Sequence, residues 1–153
     1  MYSCNNNSKK NEDKYNFEIE RFDKLFSQSN ADDLFYLKKD YPFLFPSQYN
    51  DQVWLNRLND TIQKEIYREI DIVFSNLDSY KNDLNNFFKN FISYYPKYKL
   101  PRIITLNSDI QYQNRVILTD SLLLIGLDNY LGSDHFFYSS MPIYIRENLD
   151  PSM

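Results

Sequence analysis

The side chains best placed for chemistry lie between the only two glycines of the chain, Gly126 and Gly132. Asp128, Asn129 and Tyr130 stand in this interval, directly after an apolar run that predicts a buried β-strand. Functional sites are often built where a strand gives way to a loop. The flanking glycines indicate that the backbone needs unusual angles or close packing here. The segment is therefore our first candidate for a functional or structural loop.

Asp128 has two interpretations. Its carboxylate could act as an acid, or it could bind a cation together with Asp120 or Asp134. Alternatively, Asp128 caps the segment 129–131 and Gly132 marks the end of that segment, as Asp and Gly do at helix termini. The sequence favours the cap over the chemical role.

The remaining residue patterns do not indicate a reaction. His135 is the single histidine and could act as a general base near neutral pH, but it stands beside three aromatic residues and has no HExxH partner. One Cys and one His cannot build a Cys/His zinc site, and two glycines cannot build a phosphate-binding loop. We therefore predict no catalytic residue, no cofactor and no metal ligand.

The charge balance excludes one class of partner. The chain of 153 residues carries a net charge of −4, whereas nucleic-acid-binding domains rely on a positive field.

The apolar runs of the chain are short, and no stretch approaches the roughly 18 apolar residues of a transmembrane helix. We expect neither nucleic-acid binding nor a membrane-spanning segment.

The elements that must position these residues change type after Pro101. Before it, apolar residues at helical spacing predict helices over 32–40, 48–58, 61–75 and 77–94. After it, β-branched runs predict strands around 102–106, 115–119 and 122–127. N-terminal helices followed by a small sheet of about three strands make an α+β domain.

Three details of the helical part can be tested. Asp60 is expected to cap the helix over 61–75, with Gln63 completing a capping-box-like pair. Residues 17–26 fit a strand entry as well as a helix. The aromatic stripe of the last helix, which includes Phe87, Phe88 and Phe91, is expected in the core.

Both ends of the chain differ from the middle. Residues 1–14 are polar, Asn-rich and charged, which is typical of a flexible tether. Cys4 in this tether is either an incidental thiol or the lipid-bearing cysteine of a bacterial lipoprotein, with Ser3 as the small residue before it. Asp150-Pro151 is a helix-start signal. We therefore expect a single domain over residues 15–153 that is truncated at its C-terminus.

A series of segments in order across residues 17–153 is similar to one known family. They are IERFDKLF (Ile19 to Phe26), LKKDYPFLFP (Leu37 to Pro46), Trp54, the strands around 103–119 and, most specifically, LLLIGLDNYLG (Leu122 to Gly132), followed by Tyr138, Met141-Pro142 and Tyr144-Ile145. Together they resemble the N-terminal half of GldB, a family of gliding-motility lipoproteins of the Bacteroidetes.

The resemblance implies a cell-envelope lipoprotein that is required for gliding motility and is not an enzyme. It implies a lipid anchor on Cys4 that attaches a periplasm-facing domain to the membrane. It further implies contacts with other proteins of the gliding machinery.

The same family is distantly similar to zinc peptidases that place an HExxH helix after an equivalent Asp-x-Tyr-Leu-Gly segment. This relation implies a sheet that forms half of a zincin-like fold. The alternative function is then a truncated zinc-peptidase-like hydrolase, or a peptide-binding relative, that lacks its HExxH helix.

Overall fold

The computed structural model of the chain describes residues 18–152. The predicted tether over residues 1–14, with Cys4, lies outside these residues.

Six α-helices form within residues 18–152. They are α1 (Phe22–Ser27), α2 (Leu34–Asp40), α3 (Asp51–Asn59), α4 (Thr61–Val73), α5 (Asp78–Tyr94) and α6 (Ile143–Arg146). The four helices predicted before Pro101 are confirmed as α2 to α5, with ends that shift by at most three residues. Helix α2 ends two residues before Pro42, and α5 ends two residues before Pro96. Both helices end there because the residue before a proline avoids the helical region.

The start of α4 shows how local sequence sets a helix boundary. The Oδ1 atom of Asp60 accepts a hydrogen bond of 2.8 Å from the backbone N–H of Gln63, as predicted for a cap. The side chain of Gln63 does not bond back to Asp60. It turns instead toward Asn107 and Asp109, so only half of the expected capping box forms.

Four strands form one mixed sheet in the part of the chain described. They are β1 (Ile19–Arg21), β2 (Arg102–Leu106), β3 (Val116–Leu118) and β4 (Leu122–Gly126), in the spatial order β1-β2-β4-β3. The pairs β1–β2 and β2–β4 are parallel, and β3 runs antiparallel to β4 at the edge. The α+β class is confirmed.

The sheet has one strand more than the three expected after the helices, because residues 17–26 contain both of the alternatives open to them, strand β1 and then helix α1. The fourth strand, β1, precedes every helix and pairs Ile19 with Ile103. Three residues are too few to show a two-residue alternation. Because the partner strand lies far along the chain, no local signal distinguishes β1 from the helix that follows it.

Helices cover both faces of the sheet. Neighbouring residues of β2, Ile103 and Ile104, point to opposite faces, and both are buried. Ile104 packs with the aromatic side chains of α1 and of residues 41–45, whereas Ile103 packs with Phe88 of α5. A third cluster joins α4 to residues 127–149 beyond the sheet.

The aromatic stripe of α5 is only partly in the core. Phe88 and Ile92 are buried, and Phe91 is half-buried. Phe87 is exposed, so its predicted place in the core is wrong. A helix that covers one face of a small sheet buries a stripe narrower than its full set of aromatic residues.

Within residues 18–152, no helix combines the length and the apolar character that crossing a membrane requires.

Candidate functional site

Two polar segments meet at the carboxyl ends of the central parallel strands. Residues 107–110 follow β2, and a 3-10 turn, Leu127–Asn129, follows β4. Because β2 and β4 are parallel and adjacent, their ends lie at the same edge of the sheet. In sheets with parallel strands this edge is the usual place for a functional site.

Asp128 is fully buried at this edge. Its carboxylate accepts hydrogen bonds from the backbone N–H of Ser108 at 2.8 Å and from the backbone N–H of Ile110. It also accepts a bond from the hydroxyl of Ser108, at 3.2 Å and 3.1 Å to its two oxygens. The carboxylate therefore binds the segment after β2 at two positions, Ser108 and Ile110.

The segment bound by Asp128 has an unusual backbone. Asp109 and Ile110 have φ angles of +60° and +59°, in the left-handed region. This region is uncommon for any residue except glycine and is strained for a β-branched residue such as Ile110. Asp128 satisfies the N–H group of Ile110 in this conformation and so helps to hold the strained turn.

The predicted cap by Asp128 is wrong. The side chain makes no capping hydrogen bond to the turn Leu127–Asn129, since its oxygens face the donors after β2. The φ of +114° at residue 132 favours glycine, but Gly132 lies three residues beyond the end of the turn. Its N–H donates to the carbonyl of Leu149 at 3.0 Å.

The proposed cation site with Asp120 or Asp134 also does not form within residues 18–152, where no group of three potential metal ligands occurs. Asp120 precedes β4 and Asp128 follows it, so the whole strand separates the two carboxylates. Asp134 is exposed in the loop after Gly132.

Burial raises the pKa of the Asp128 carboxyl above its usual value, and the hydrogen bonds from Ser108 and Ile110 oppose this rise. A carboxyl group enclosed in this way has no open side for a substrate. Its geometry suits holding the turn.

Asn129 and Gly126 complete the contact between the two segments. The fully buried Asn129 donates from Nδ2 to the Ser108 hydroxyl at 2.6 Å. A Cβ atom on Gly126 would lie 2.6 Å from the same hydroxyl oxygen, so the close approach of Ser108 requires glycine here. The Oδ1 atom of Asn129 is buried without a hydrogen-bond partner among residues 18–152.

Tyr138 supports the Asp128 segment from the other side. Its buried hydroxyl donates to the carbonyl of Asp128 at 2.6 Å and accepts from the N–H of Leu131 at 3.0 Å. Burial raises the pKa of Tyr138, so the phenol stays protonated and can donate. Tyr130 is half-buried and lines a neighbouring cleft.

A second polar network ties the turn after β2 to helices α3 and α4. Arg57 donates to both carboxylate oxygens of Asp109, each at 2.7 Å. Gln63 donates to Asp109 at 2.7 Å and accepts from Asn107 at 2.9 Å. Burial raises the pKa of the neighbouring Tyr67 to about 12. The strained turn is therefore fixed from two directions.

The sequence did not identify Ser108, Asp109 or Arg57 as part of this site. The polar run from Asn107 to Asp109 directly after a predicted strand was a usable signal, because it stands in the same position as Asp128 after β4. The partnership of Arg57 with Asp109 joins residues 52 positions apart and leaves no local pattern.

His135 makes the contacts expected of a structural histidine. Its Nδ1 atom accepts from the backbone N–H of Phe137 at 3.3 Å, and Nε2 lies 3.3 Å from a carboxylate oxygen of Glu69. The ring also stacks on Phe136, with 4.5 Å between centroids. These contacts attach the loop after Gly132 to α4.

The most open feature near this site is strand β3. Val116, Ile117 and Leu118 are 47%, 40% and 61% exposed, and within residues 18–152 no strand pairs with the outer side of β3. A cleft of about 430 Å³, the α3 cleft, lies between Ile117 and Trp54 on one face of the sheet. A cleft of about 410 Å³, the α5 cleft, lies between Val116 and Leu84 on the other.

Comparison with known proteins gives one match. The model of a family described as gliding motility protein GldB matches residues 3–153. No curated protein matches the chain, and no solved structure does.

Proposed function

We propose that this chain, which belongs to the gliding motility protein GldB family, is a cell-envelope lipoprotein that supports gliding through contacts with other proteins of the gliding machinery. The observation that carries the proposal is the family match over residues 3–153, which includes the whole domain and Cys4. We further propose that the protein is not an enzyme.

The buried site supports a structural role for its polar residues. The carboxylate of Asp128 accepts its hydrogen bonds from the turn after β2. The carboxylate of Asp109 accepts hydrogen bonds from Arg57 and Gln63. These groups fix the turn from which the chain continues to β3. The polar cluster thus serves to position the edge of the sheet.

Strand β3 supports the proposal of protein contacts. A strand at a sheet edge presents free backbone N–H and C=O groups that an extended segment of a partner can pair with. Val116 borders the α5 cleft and Ile117 borders the α3 cleft. A strand added beside β3 would place alternate side chains toward the two clefts, so we propose an extended apolar segment of a gliding protein as the occupant.

Cys4 is the proposed attachment point to the membrane, with the domain facing the periplasm. A single short lipid chain binds membranes only marginally, so stable attachment depends on further chains or on a second contact.

Deletion of the gene in its gliding host tests the function. We expect deleted cells to stop gliding and the wild-type gene to restore movement. A Cys4→Ser gene should restore it poorly and release the protein from the membrane fraction, whereas the neighbouring Asn5→Ser change should behave as wild type. Normal gliding of deleted cells would contradict the proposal.

A second candidate function is a truncated zinc-peptidase-like hydrolase or a peptide-binding relative of zinc peptidases, and the open edge of β3 also favours this function. Zinc analysis of the complete gene product distinguishes the hydrolase from the peptide-binding form. One bound zinc per chain together with cleavage of a peptide library would support the hydrolase. Metal-free protein that binds extended peptides without cleaving them would support the peptide-binding form.

A further inference from the structure

The end of α5 carries an exposed aromatic surface, which we call the α5 patch and define as residues 87–99. Phe87, Tyr94 and Tyr95 are 56%, 80% and 60% exposed. The rings form a continuous series, since Phe91 lies 6.0 Å from Phe87, 4.8 Å from Tyr95 and 4.9 Å from Tyr98 between centroids. Large side chains exposed together in this way mark an interaction surface.

The charge of this surface is opposite to that of the whole protein. Residues 84–108 contain no Asp or Glu, although the chain has a net charge of −4. Lys89, Lys97 and Lys99 are exposed in the patch, and none of them forms an ion pair within residues 18–152. The nearby Arg102 is paired with Glu20, at 2.7 Å. The patch therefore presents three uncompensated positive charges among aromatic rings.

The patch lies at the end of the sheet where the described chain begins. The turn from Tyr95 to Tyr98, closed by a hydrogen bond of 2.9 Å, leads directly into β2. Tyr98 packs into the same cluster as Ile19, the first residue of β1. The start of β1 therefore lies beside the patch, and Cys4 precedes β1 in the sequence.

Composition distinguishes the kinds of partner. Protein interfaces are enriched in Arg and depleted in Lys, whereas all three free cations of the patch are lysines. Tyrosine and lysine together are typical of the boundary between a membrane and water, where the ring sits among the headgroups and the ammonium group meets anionic lipid. We propose that the α5 patch binds the surface of an anionic phospholipid membrane.

The patch supplies a second membrane contact that does not depend on acylation. If Cys4 carries the lipid proposed above, the anchor and the patch together hold the domain at the membrane surface. Only this combined attachment rests on the proposed function.

Vesicle binding of the complete gene product with Cys4→Ser tests the patch without the anchor. We expect the protein to sediment with phosphatidylcholine vesicles that contain about one third phosphatidylglycerol, and to stay in solution with phosphatidylcholine alone. Raising the salt concentration to about 0.5 M should release it, because salt screens exposed charges. Equal binding to both kinds of vesicle, or to neither, would overturn the proposal.

Two pairs of matched variants locate the contact. Lys97→Gln/Lys99→Gln should weaken binding about fivefold for each lysine removed, whereas Lys39→Gln/Lys64→Gln, with the same change of charge, should not. Tyr94→Ser/Tyr95→Ser should weaken it, and Phe35→Ser/Tyr36→Ser, which replaces two exposed aromatics of α2, should not. Equal losses in the control pairs would show that binding does not depend on these positions and would overturn the assignment to the patch.

A fluorescent label gives a readout that loss of folding does not mimic. In the Cys4→Ser protein, an environment-sensitive dye on Tyr94→Cys should shift to shorter wavelength when anionic vesicles are added. The same dye on Tyr36→Cys should not shift. A shift at both positions, or only at residue 36, would contradict the proposed orientation.

Discussion

The carboxylate of Asp128 accepts a hydrogen bond from the backbone N–H of Ile110, a β-branched residue held at a φ of +59°. The two residues follow different strands, and the parallel pairing of β2 with β4 brings them together. The strained turn after β2 is thus held by a buried carboxylate that follows β4, the neighbouring strand of the sheet. This turn begins the connection to β3, the strand that we propose as the contact surface.

Replacing Asp128 by Asn should destabilise the domain by about 1–3 kcal/mol, because the amide turns a donor toward backbone N–H groups that need an acceptor. The free energy of unfolding in urea measures the effect. Asp134→Asn, at an exposed position, is the matched control and should change it by less than about 0.5 kcal/mol. If the Asp128→Asn protein had the same free energy of unfolding as wild type, the carboxylate would not hold the turn.

The stability of the folded domain should depend on pH through the carboxyl group of Asp128. Because burial raises the pKa of Asp128 in the folded protein, folding favours its protonated form. The stability advantage of wild type over Asp128→Asn should be largest below the ordinary pKa near 3.8, fall as the pH rises through the raised pKa, and stay constant above it. Urea unfolding between pH 3 and pH 8 tests this. A stability advantage of wild type that grows with pH would mean that folding lowers the pKa of Asp128, which would contradict the prediction.

Gly126→Ala should destabilise the domain by about 1–3 kcal/mol, since the added Cβ would meet the Ser108 hydroxyl at 2.6 Å. Ser108→Ala removes this oxygen. The double variant should therefore lose less stability than the sum of the two single variants. Simple additivity would indicate that the two residues do not compete for the same space.

Tyr138→Phe should lower the free energy of unfolding by about 1–3 kcal/mol, because the N–H of Leu131 and the carbonyl of Asp128 both lose their partner. Tyr144→Phe makes the same change on an exposed residue and should be neutral. Thermal unfolding of the two proteins side by side gives the comparison. Matching melting temperatures would argue against the role of the buried hydroxyl.

The elements with strong local periodicity could be predicted from the sequence. Helices α2 to α5 follow from the spacing of their apolar residues, strands β2 to β4 follow from their β-branched and apolar runs, and the cap by Asp60 follows from its position. Strand β1 could not be predicted in this way, because three residues show no period and its partner lies more than 80 positions away.

The close packing around Asp128 could be predicted from the sequence, but the partners of its carboxylate could not. Two glycines around Asp128 indicated special packing, and both are needed, for close approach at Gly126 and for a positive φ at Gly132. The cap was the expected role because local rules favour it. The donors that the carboxylate actually binds lie 18 and 20 positions earlier, on a segment that only the sheet brings near.

The proposal that β3 is the contact surface for gliding is tested most directly by placing charges on its exposed edge. Val116→Lys/Leu118→Lys should prevent an added strand from pairing, since charged side chains on an edge oppose strand addition. Ile62→Lys/Ile72→Lys places the same charges on α4, where both residues are 62% exposed.

Gliding speed of gene-deleted cells that carry each variant is the measurement, at equal protein level and equal amount in the membrane fraction. We predict that the α4 variant restores gliding and that the β3 variant leaves the cells immobile. Normal gliding with the β3 variant would contradict the account.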